Sequence, residues 1–207
     1  MRKTTEPLQF VNTHDYIHIT GNKLPHWNQQ YCVQFVTFRL ADSLPQEKLR
    51  EYKEQKEAWE TNHPRPWDEE TKKEYDETFT AVIDKWIDAG YGECILAERN
   101  VRDIVSTAIM HFDGERYDIH AYVIMPNHVH VLLTPRQGSL VQEIVGNWKR
   151  FTAREINKRL GRSGTIWERN HFDHLVRNMD NFNETMLYIN ENPRHLPSAN
   201  YTLYKAM

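Results

Sequence analysis

Two apolar runs separated by two residues constrain the fold of this chain more than any other feature. The runs are YDIHAYVIM, residues 117–125, and HVHVLLTP, residues 128–135, with Pro126 and Asn127 between them. This spacing predicts two strands joined by a tight turn. Because residues i and i+2 of a strand point to the same face, we expect His128 and His130 to project together from the returning strand.

Other periodic segments place this hairpin within an α+β chain. The β-branched and aromatic run YCVQFVTFRLA predicts a strand over residues 31–41. Apolar spacing predicts helices over 101–112, over 140–160 with Ser139 as N-cap and Gly161 as stop, and over 178–192 before Pro193. Extended segments are predicted at 164–167 and 171–177. This order predicts a ferredoxin-like βαββαβ split sandwich with an antiparallel sheet and an appended C-terminal helix.

A charged segment, Gln46 to Ala89, is inserted after the first strand. Its apolar residues recur at helical spacings, and the prolines of NHPRPW predict a break between two helices. Residues 47–79 carry 7 Lys+Arg against 11 Asp+Glu, a net charge of −4. No chemistry follows from this pattern. A solvated appendage is our expectation, with a lid or a dimer surface as alternatives.

The length and composition predict one domain over residues 1–207, in which 188–207 form the end of the last helix and a tail. No apolar run is long enough to span a bilayer, and the N-terminus lacks the apolar core of a signal peptide. Cys32 and Cys94 lie too far apart in sequence for a metal-binding spacing. We therefore expect a cytoplasmic protein that does not bind membranes.

Two imidazoles on one face of a strand are compatible with two roles. They can bind a divalent metal together, or they can form a structural pair within the core. The alternation of His128 and His130 with valines does not by itself decide between these interpretations.

The surrounding sequence favours the metal. The stretch AYVIMPNHVHVLLTP resembles the hairpin of the single-tyrosine HUH transposases, in which U is a hydrophobic residue. The likeness extends to FVTFRLADSLP, HFDGERYD, WKRFTAREINKRLGRSGTIWERNHFDHLVRN and YINENP, and so covers most of the chain from Tyr31 to Pro193. More narrowly, the chain resembles the REP-associated tyrosine transposases among the IS200-like transposases.

This resemblance implies an enzyme that nicks and rejoins single-stranded hairpin DNA through a 5′-phosphotyrosine intermediate. Tyr188 matches the nucleophile, although packing on an amphipathic helix is the alternative role for this residue. His128 and His130 would hold Mg²⁺ or Mn²⁺. Asn192 stands where small insertion-sequence relatives carry a glutamine ligand, so the third ligand is left open between Asn192 and His174.

A basic segment follows the hairpin. Residues 136–178 carry 9 Lys+Arg against 4 Asp+Glu, a net charge of +5. Cations for phosphates and aromatic rings for unpaired bases are what a DNA-binding surface needs, although a solvated basic face is the alternative. The candidate DNA-binding residues are Lys149, Arg150, Arg154, Lys158, Arg162, Trp167 and Arg169.

Two other functions are compatible with the sequence. One is a hairpin-DNA-binding protein of the same descent that no longer cuts, which the substitution of glutamine by Asn192 motivates. The other is a metal-dependent hydrolase of small substrates on the same fold. The expected partner is single-stranded or hairpin DNA, and the chain is either a monomer or a homodimer.

Overall fold

The computed structural model describes residues 7–12, 18–20, 26–64, 67–75, 78–79, 82, 86 and 89–206. The strands are β1 (His18–Thr20), β2 (His26–Asn28), β3 (Gln34–Arg39), β4 (Tyr117–Ile124), β5 (His128–Pro135), β6 (Phe172–Leu175) and β7 (Thr202–Lys205). The α-helices are α1 (Gln46–Asn62), α2 (Glu69–Tyr75), α3 (Arg99–Met110), α4 (Val141–Leu160) and α5 (Met179–Glu191). Short 3₁₀ turns cover Ile95–Ala97, Asn192–His195 and Ser198–Asn200.

The central sheet has the strand order β6-β3-β5-β4-β7, and all neighbouring strands are antiparallel. Its first four strands in the chain are β3, β4, β5 and β6, with α3 between β3 and β4 and α4 between β5 and β6. This is the βαββαβ arrangement of a ferredoxin-like split sandwich, and the predicted α+β fold class is confirmed. The predicted strand over 128–135 coincides with β5.

One face of this sheet, here called the closed face, packs against α3 and α4. Val36, Phe38, Val129, Val131 and Leu133 line it, and all five are at most 1% exposed. From the helices, apolar residues at i, i+3 and i+4 spacing complete the cluster: Val101, Val105, Ile109, Val141, Ile144, Val145, Trp148 and Ile156. The alternation of the strands and the helical periodicity therefore meet in one hydrophobic core.

The opposite face, here called the histidine face, packs against α5. Its apolar cluster includes Phe35, Val123, Leu132 and Ile189, and Leu8 and Phe10 pack against it from the N-terminal side. A β-bulge between Ile119 and Ala121 shifts the register of β4 against β5. The bulge explains why the alternation of β4 changes phase within YDIHAYVIM.

Three local features differ from the predictions. Ser139 is not the N-cap of α4, because the helix begins one residue later, and Leu140 at that position makes no side-chain capping bond. The tail contains a strand that was not predicted, because Thr202–Lys205 pair with Ala121–Ile124 as β7. The short β1–β2 hairpin was not predicted. Gly161 does end α4, with a left-handed φ of 62°.

The buried guanidinium of Arg102 connects β7 to α3. It donates to Thr202 Oγ1 over 3.1 Å, to the Leu96 carbonyl over 3.0 Å and to the Ala199 carbonyl over 2.5 Å. Arg102 therefore fixes the segment before β7 against the N-terminal end of α3.

The insertion contains the predicted break, since α1 ends at Asn62 and α2 begins at Glu69. Much of the predicted second helix, over residues 76–88, lies outside the described residues. In the described part, aromatic rings pack on one another, with Trp59 contacting Trp67, Tyr75 and Phe79. No helix in the described part of the chain has the length and apolarity needed to cross a membrane.

Candidate active site

Strand pairing places the two histidines of β5 in the middle of the sheet. His130 lies opposite Thr37 of β3 and Val123 of β4, and His128 lies opposite Arg39. Both histidines are buried, at 1% and 2% exposure, and their ring centroids are 4.6 Å apart. The structure therefore brings His128 and His130 together on one face, as the i, i+2 spacing predicts.

The Nδ1 atom of each imidazole is held by a neighbouring polar side chain. His130 Nδ1 lies 2.7 Å from Thr37 Oγ1, and His128 Nδ1 lies 2.8 Å from Asn127 Oδ1. An amide oxygen only accepts, so His128 must carry its proton on Nδ1 to make this bond. Such bonds orient metal-binding histidines, because they fix both the ring and its tautomer.

Burial keeps both imidazoles neutral. It lowers the pKa of His130 to about 3, and it lowers the pKa of His128 well below its ordinary value, with the nearby His130 adding to the effect. A neutral imidazole with a proton on Nδ1 has a lone pair on Nε2. This is the form that binds a metal or accepts a proton.

Helix α5 brings Tyr188 to the histidines. Its hydroxyl lies 3.3 Å from His130 Nε2, and the two ring centroids are 5.1 Å apart. Ile189 faces the core and is fully buried, whereas Leu187 is 61% exposed and Tyr188 is 36% exposed. The helix thus uses one face for packing and presents Tyr188 at the edge of that face, next to the site and to solvent.

The two candidate third ligands occupy different positions. Asn192 follows the last residue of α5, and its Oδ1 atom is buried without a hydrogen-bond partner among the residues that the structure describes. His174 lies on the exposed edge strand β6, with its ring centroid 5.3 Å from that of Phe35, which itself stacks on His130 at 5.4 Å. Metal binding would compensate for the lost hydration of the buried amide oxygen, so Asn192 stays a candidate third ligand beside His174.

The side chains present are compatible with a metal held by few protein ligands. Within the described residues, no group of three or more His, Cys, Asp and Glu side chains is arranged to hold a metal ion. A metal here would be bound by two imidazoles, a third ligand from Asn192 or His174, and oxygens from outside the protein. Mg²⁺ prefers oxygen ligands alone, so two imidazole ligands favour a divalent transition metal over Mg²⁺.

The predicted basic stripe lies on the solvent side of α4. Arg150, Arg154 and Lys158 are exposed, and the first two have polar neighbours in Asn147 and Glu155. Lys149 instead donates to the carbonyls of Arg169 and Asn170, and burial lowers its pKa to about 8 against the opposing charge of Glu168. Lys149 therefore connects α4 to the segment before β6.

The loop after α4 holds the remaining predicted DNA-binding residues. Arg162 is exposed and pairs with Glu93 at 2.5 Å, and Arg169 is exposed. Trp167 does not fit its predicted role in base stacking. It is 5% exposed, packs edge-on against Phe38 and donates to Thr152 Oγ1 over 2.8 Å, so its ring belongs to the core.

Sequence reasoning missed two exposed aromatic rings, one on each side of the sheet. Phe151 is 43% exposed on α4 beside Arg154, whose guanidinium lies 5.6 Å from the ring centroid. Phe172 is 41% exposed on β6 and lies opposite Thr37. These rings are available for stacking where Trp167 is not. The apolar character of a single exposed phenylalanine gives no sequence signal that separates it from a core residue.

Arg39 was also missed. It ends β3 opposite His128, and its guanidinium forms an ion pair with Glu168 over 3.3 Å and donates to Ser43 over 3.0 Å. Its functional position depends on strand register, which the local sequence does not reveal.

Comparisons with known proteins agree with the resemblance found in the sequence. Residues 96–192, slightly less than half of the chain, match the family model described as Transposase IS200 like. The segment includes β4, β5, α4, β6 and α5. A search of curated proteins finds no significant match.

Two solved structures are similar to this chain at low identity. One is a REP-associated tyrosine transposase bound to a REP hairpin, with 15% identity, a TM-score of 0.48 and coverage of 84% of this chain and 74% of that chain. The other is a protein of Deinococcus radiodurans R1 described as a candidate transposase, with 13% identity, a TM-score of 0.37 and coverage of 89% and 98%. The distances and contacts given above for the site are all between residues of this chain.

Proposed function

We propose that this chain cleaves and rejoins single-stranded hairpin DNA with Tyr188 as nucleophile; the match of residues 96–192 to the IS200-like transposase family model supports this proposal. The observation that carries the proposal is the 3.3 Å contact between the Tyr188 hydroxyl and Nε2 of the buried, neutral His130. A packing role alone would not require a tyrosine hydroxyl at the edge of a histidine pair.

The proposed reaction uses the phenol oxygen of Tyr188. In the tautomer that donates from Nδ1 to Thr37, His130 has its one lone pair on Nε2, 3.3 Å from the Tyr188 hydroxyl. Because this lone pair would hold the metal, the phenol proton passes to water. The phenol oxygen then bonds to a DNA phosphorus while the bond to the 3′ oxygen breaks. The 3′ oxygen leaves with the bonding electrons and takes a proton from water to become a free 3′-OH, which can later attack the 5′-phosphotyrosine and restore the strand.

A divalent metal belongs to this proposal. His128, His130 and Asn192 would hold it, with His174 as the alternative third ligand. When bound, Mg²⁺ or Mn²⁺ would supply charge neutralisation at the scissile phosphate. The mixed nitrogen and oxygen donors lead us to expect stronger binding of Mn²⁺.

The proposed DNA surface consists of cations and exposed aromatic rings. Arg150, Arg154 and Lys158 offer charges for phosphates along α4, and Arg162 and Arg169 extend them through the following loop. Exposed rings stack on unpaired bases with little sequence preference. Phe151 lies beside these cations on α4, whereas Phe172 lies opposite Thr37 on the histidine face, so each would serve a different part of the DNA.

The decisive experiment removes one oxygen atom. Tyr188→Phe should fold and bind a labelled single-stranded hairpin, because the ring still contacts His130 and Phe35. It should form no covalent protein–DNA adduct on a denaturing gel in the presence of Mn²⁺. Tyr201→Phe, which removes a hydroxyl from another tyrosine packed against the same cluster, is the matched control and should form the adduct.

The result would separate the proposal from its alternatives. An adduct formed by Tyr188→Phe would assign the nucleophile to another tyrosine. A wild-type protein that binds the hairpin but forms no adduct with either metal would be the non-cutting DNA-binding protein.

A further inference from the structure

The turn between β4 and β5 lies between the two chain segments that flank the helical insertion, residues 40–45 and 90–96. On one side the Leu40 amide, just before the insertion, donates to the Asn127 carbonyl over 2.9 Å. On the other side the Leu96 amide, just after it, donates to the Pro126 carbonyl over 3.1 Å. The turn that precedes His128 is therefore held from both ends of the insertion.

The two flanking segments also contact each other. The Glu93 amide donates to Asp42 Oδ2 over 2.8 Å. Gly92 has a φ of +90°, and a Cβ atom there would lie 2.7 Å from the Asp42 carbonyl oxygen. Only glycine allows the returning chain to approach Asp42 this closely. The return of the insertion thus has a fixed position beside the turn.

The Asn127 side chain connects the flanking segment that contains Tyr91 to the histidine site. Its Nδ2 donates to the Tyr91 carbonyl over 3.2 Å, and its Oδ1 accepts from His128 Nδ1 over 2.8 Å. The first bond fixes which end of the amide faces the imidazole, since only the NH₂ group can donate to a carbonyl. Asn127 is 1% exposed, so these bonds are not exchanged with bulk water.

Helix α1 of the insertion contacts the same Tyr91. The Lys48 ammonium donates to the Tyr91 hydroxyl over 2.9 Å and lies 4.7 Å from the centroid of its ring. It also lies 5.4 Å from the ring centroid of Trp86, within the insertion. A cation bound by two rings and a hydroxyl fixes Tyr91 relative to α1.

We propose that Asn127 is a positioning residue. Through it, the contact between Lys48 of α1 and Tyr91 sets the ring orientation and tautomer of His128. The insertion is then part of the support of the active site, although none of its residues touches the histidines in these contacts. The consequence for metal binding rests on the proposed function. Outer partners of metal-binding histidines commonly change metal affinity by about 10–100-fold when they are removed.

The first experiment reads the tautomer without metal or DNA. Long-range ¹H–¹⁵N NMR distinguishes the two neutral imidazole forms, and His128→Gln assigns the signals. The wild-type protein should show His128 with its proton on Nδ1. Asn127→Ala should lose this preference, and Asn127→Asp should restore it, because a carboxylate oxygen still accepts the bond.

The second arm tests the insertion with a matched pair of lysines on α1. Lys48→Met removes the cation that contacts Tyr91, and Lys56→Met removes the cation that lies 5.3 Å from the ring centroid of Tyr75. Both lysines lie outside the core, so both variants should fold. Lys48→Met should shift the His128 signals and Lys56→Met should not. Equal spectra for the two variants, or a wild-type His128 protonated on Nε2, would overturn the inference.

Calorimetric titration with Mn²⁺ measures the consequence. Asn127→Ala should bind Mn²⁺ about 10–100-fold more weakly than the wild type. Lys48→Met should show a smaller loss, and Lys56→Met none. If the wild type binds no Mn²⁺ while the NMR results are as expected, the metal in the proposed function is wrong and the positioning role of Asn127 stands. If His128→Gln abolishes Mn²⁺ binding while Asn127→Ala does not weaken it, the positioning role is wrong and the metal site stands.

Discussion

The two faces of the central sheet use alternate residues of the same strand for different purposes. On the closed face, Val129, Val131 and Leu133 of β5 are buried by two helices, α3 and α4. On the histidine face, His128 and His130 lie between them in sequence and are covered largely by one helix, α5. Burying apolar groups stabilises the fold, whereas burying imidazoles requires specific partners. Within the eight residues of β5, one set of alternate side chains therefore stabilises the fold and the other set provides the chemical groups of the site.

Removing either imidazole should have the largest effect, and it should fall on chemistry alone. We expect His128→Ala and His130→Ala to reduce hairpin cleavage about a thousandfold or more, because the loss of one group that stabilises developing charge already costs about 10²–10³-fold. Hairpin binding should remain, and gel assays of cleavage and binding measure both. His120→Gln is the control, since His120 contacts Phe182 of α5 without touching Tyr188 in the described contacts. Near-normal cleavage by either alanine variant would contradict the metal assignment.

Substitutions of two adjacent leucines of β5 test the difference between the two faces directly. Leu132 and Leu133 are both fully buried, but Leu132 belongs to the cluster under α5 and Leu133 to the cluster under α3 and α4. Each change to alanine should lower the free energy of unfolding by about 2–5 kcal/mol, as measured by denaturant titration. Below the melting range, only Leu132→Ala should slow cleavage, because it loosens the packing that places Tyr188. An equal effect of both variants on cleavage would show that the two faces are not separable.

Acid should destabilise the protein through its buried histidines. Burial lowers the pKa of His120 to about 4, against the opposing charge of Asp118, so the unfolded chain binds more protons than the folded one between about pH 6.5 and 4. The free energy of unfolding therefore falls as the pH drops through this window, by up to about 3 kcal/mol from His120. His120→Gln should flatten this dependence, and identical curves from denaturant titrations at several pH values would exclude His120 as a source.

The smallest expected effect concerns the basic stripe on α4. The double change Arg150→Ala and Arg154→Ala should weaken hairpin binding and reduce the slope of log affinity against log salt by roughly 0.7 for each lost phosphate contact with a single strand. Arg50→Ala with Arg99→Ala removes the same charge from exposed sites on α1 and α3 and should leave the slope unchanged. Equal slopes for the two double variants would show that the stripe is only a solvated face.

The fold could be predicted where the sequence pattern is local. The β4–β5 hairpin follows from two alternating runs around a two-residue turn, and the end of α4 follows from Gly161. Strand β7 could not be predicted, because TLYK is short and its partner β4 lies about eighty residues earlier in the chain. Pairing over such a distance depends on tertiary contacts, including those made by Arg102.

The sequence predicted only those parts of the site whose chemistry depends on residue type and local spacing. The spacing of His128 and His130 predicted their shared face, and the resemblance pointed to Tyr188, which the structure places beside them. The roles of Thr37 and Asn127 depend on register and on a turn, and no local pattern contains them. Trp167 was assigned to the surface because Arg162 and Arg169 lie near it in sequence, whereas its burial depends on contacts such as that with Phe38 on another strand.

The position of α5 and β7 late in the chain has a consequence for synthesis. The strands and helices of the closed face all come from residues 34–160, and a ribosome completes them before residues 179–205 exist. At about 5–20 residues per second, a few seconds separate the two events. During this interval the nascent chain has a core and two histidines but no tyrosine beside them. A translation product that stops before residue 179 would therefore be unable to link itself to DNA through Tyr188, and the unpaired edge of β4 would expose it to aggregation and proteolysis.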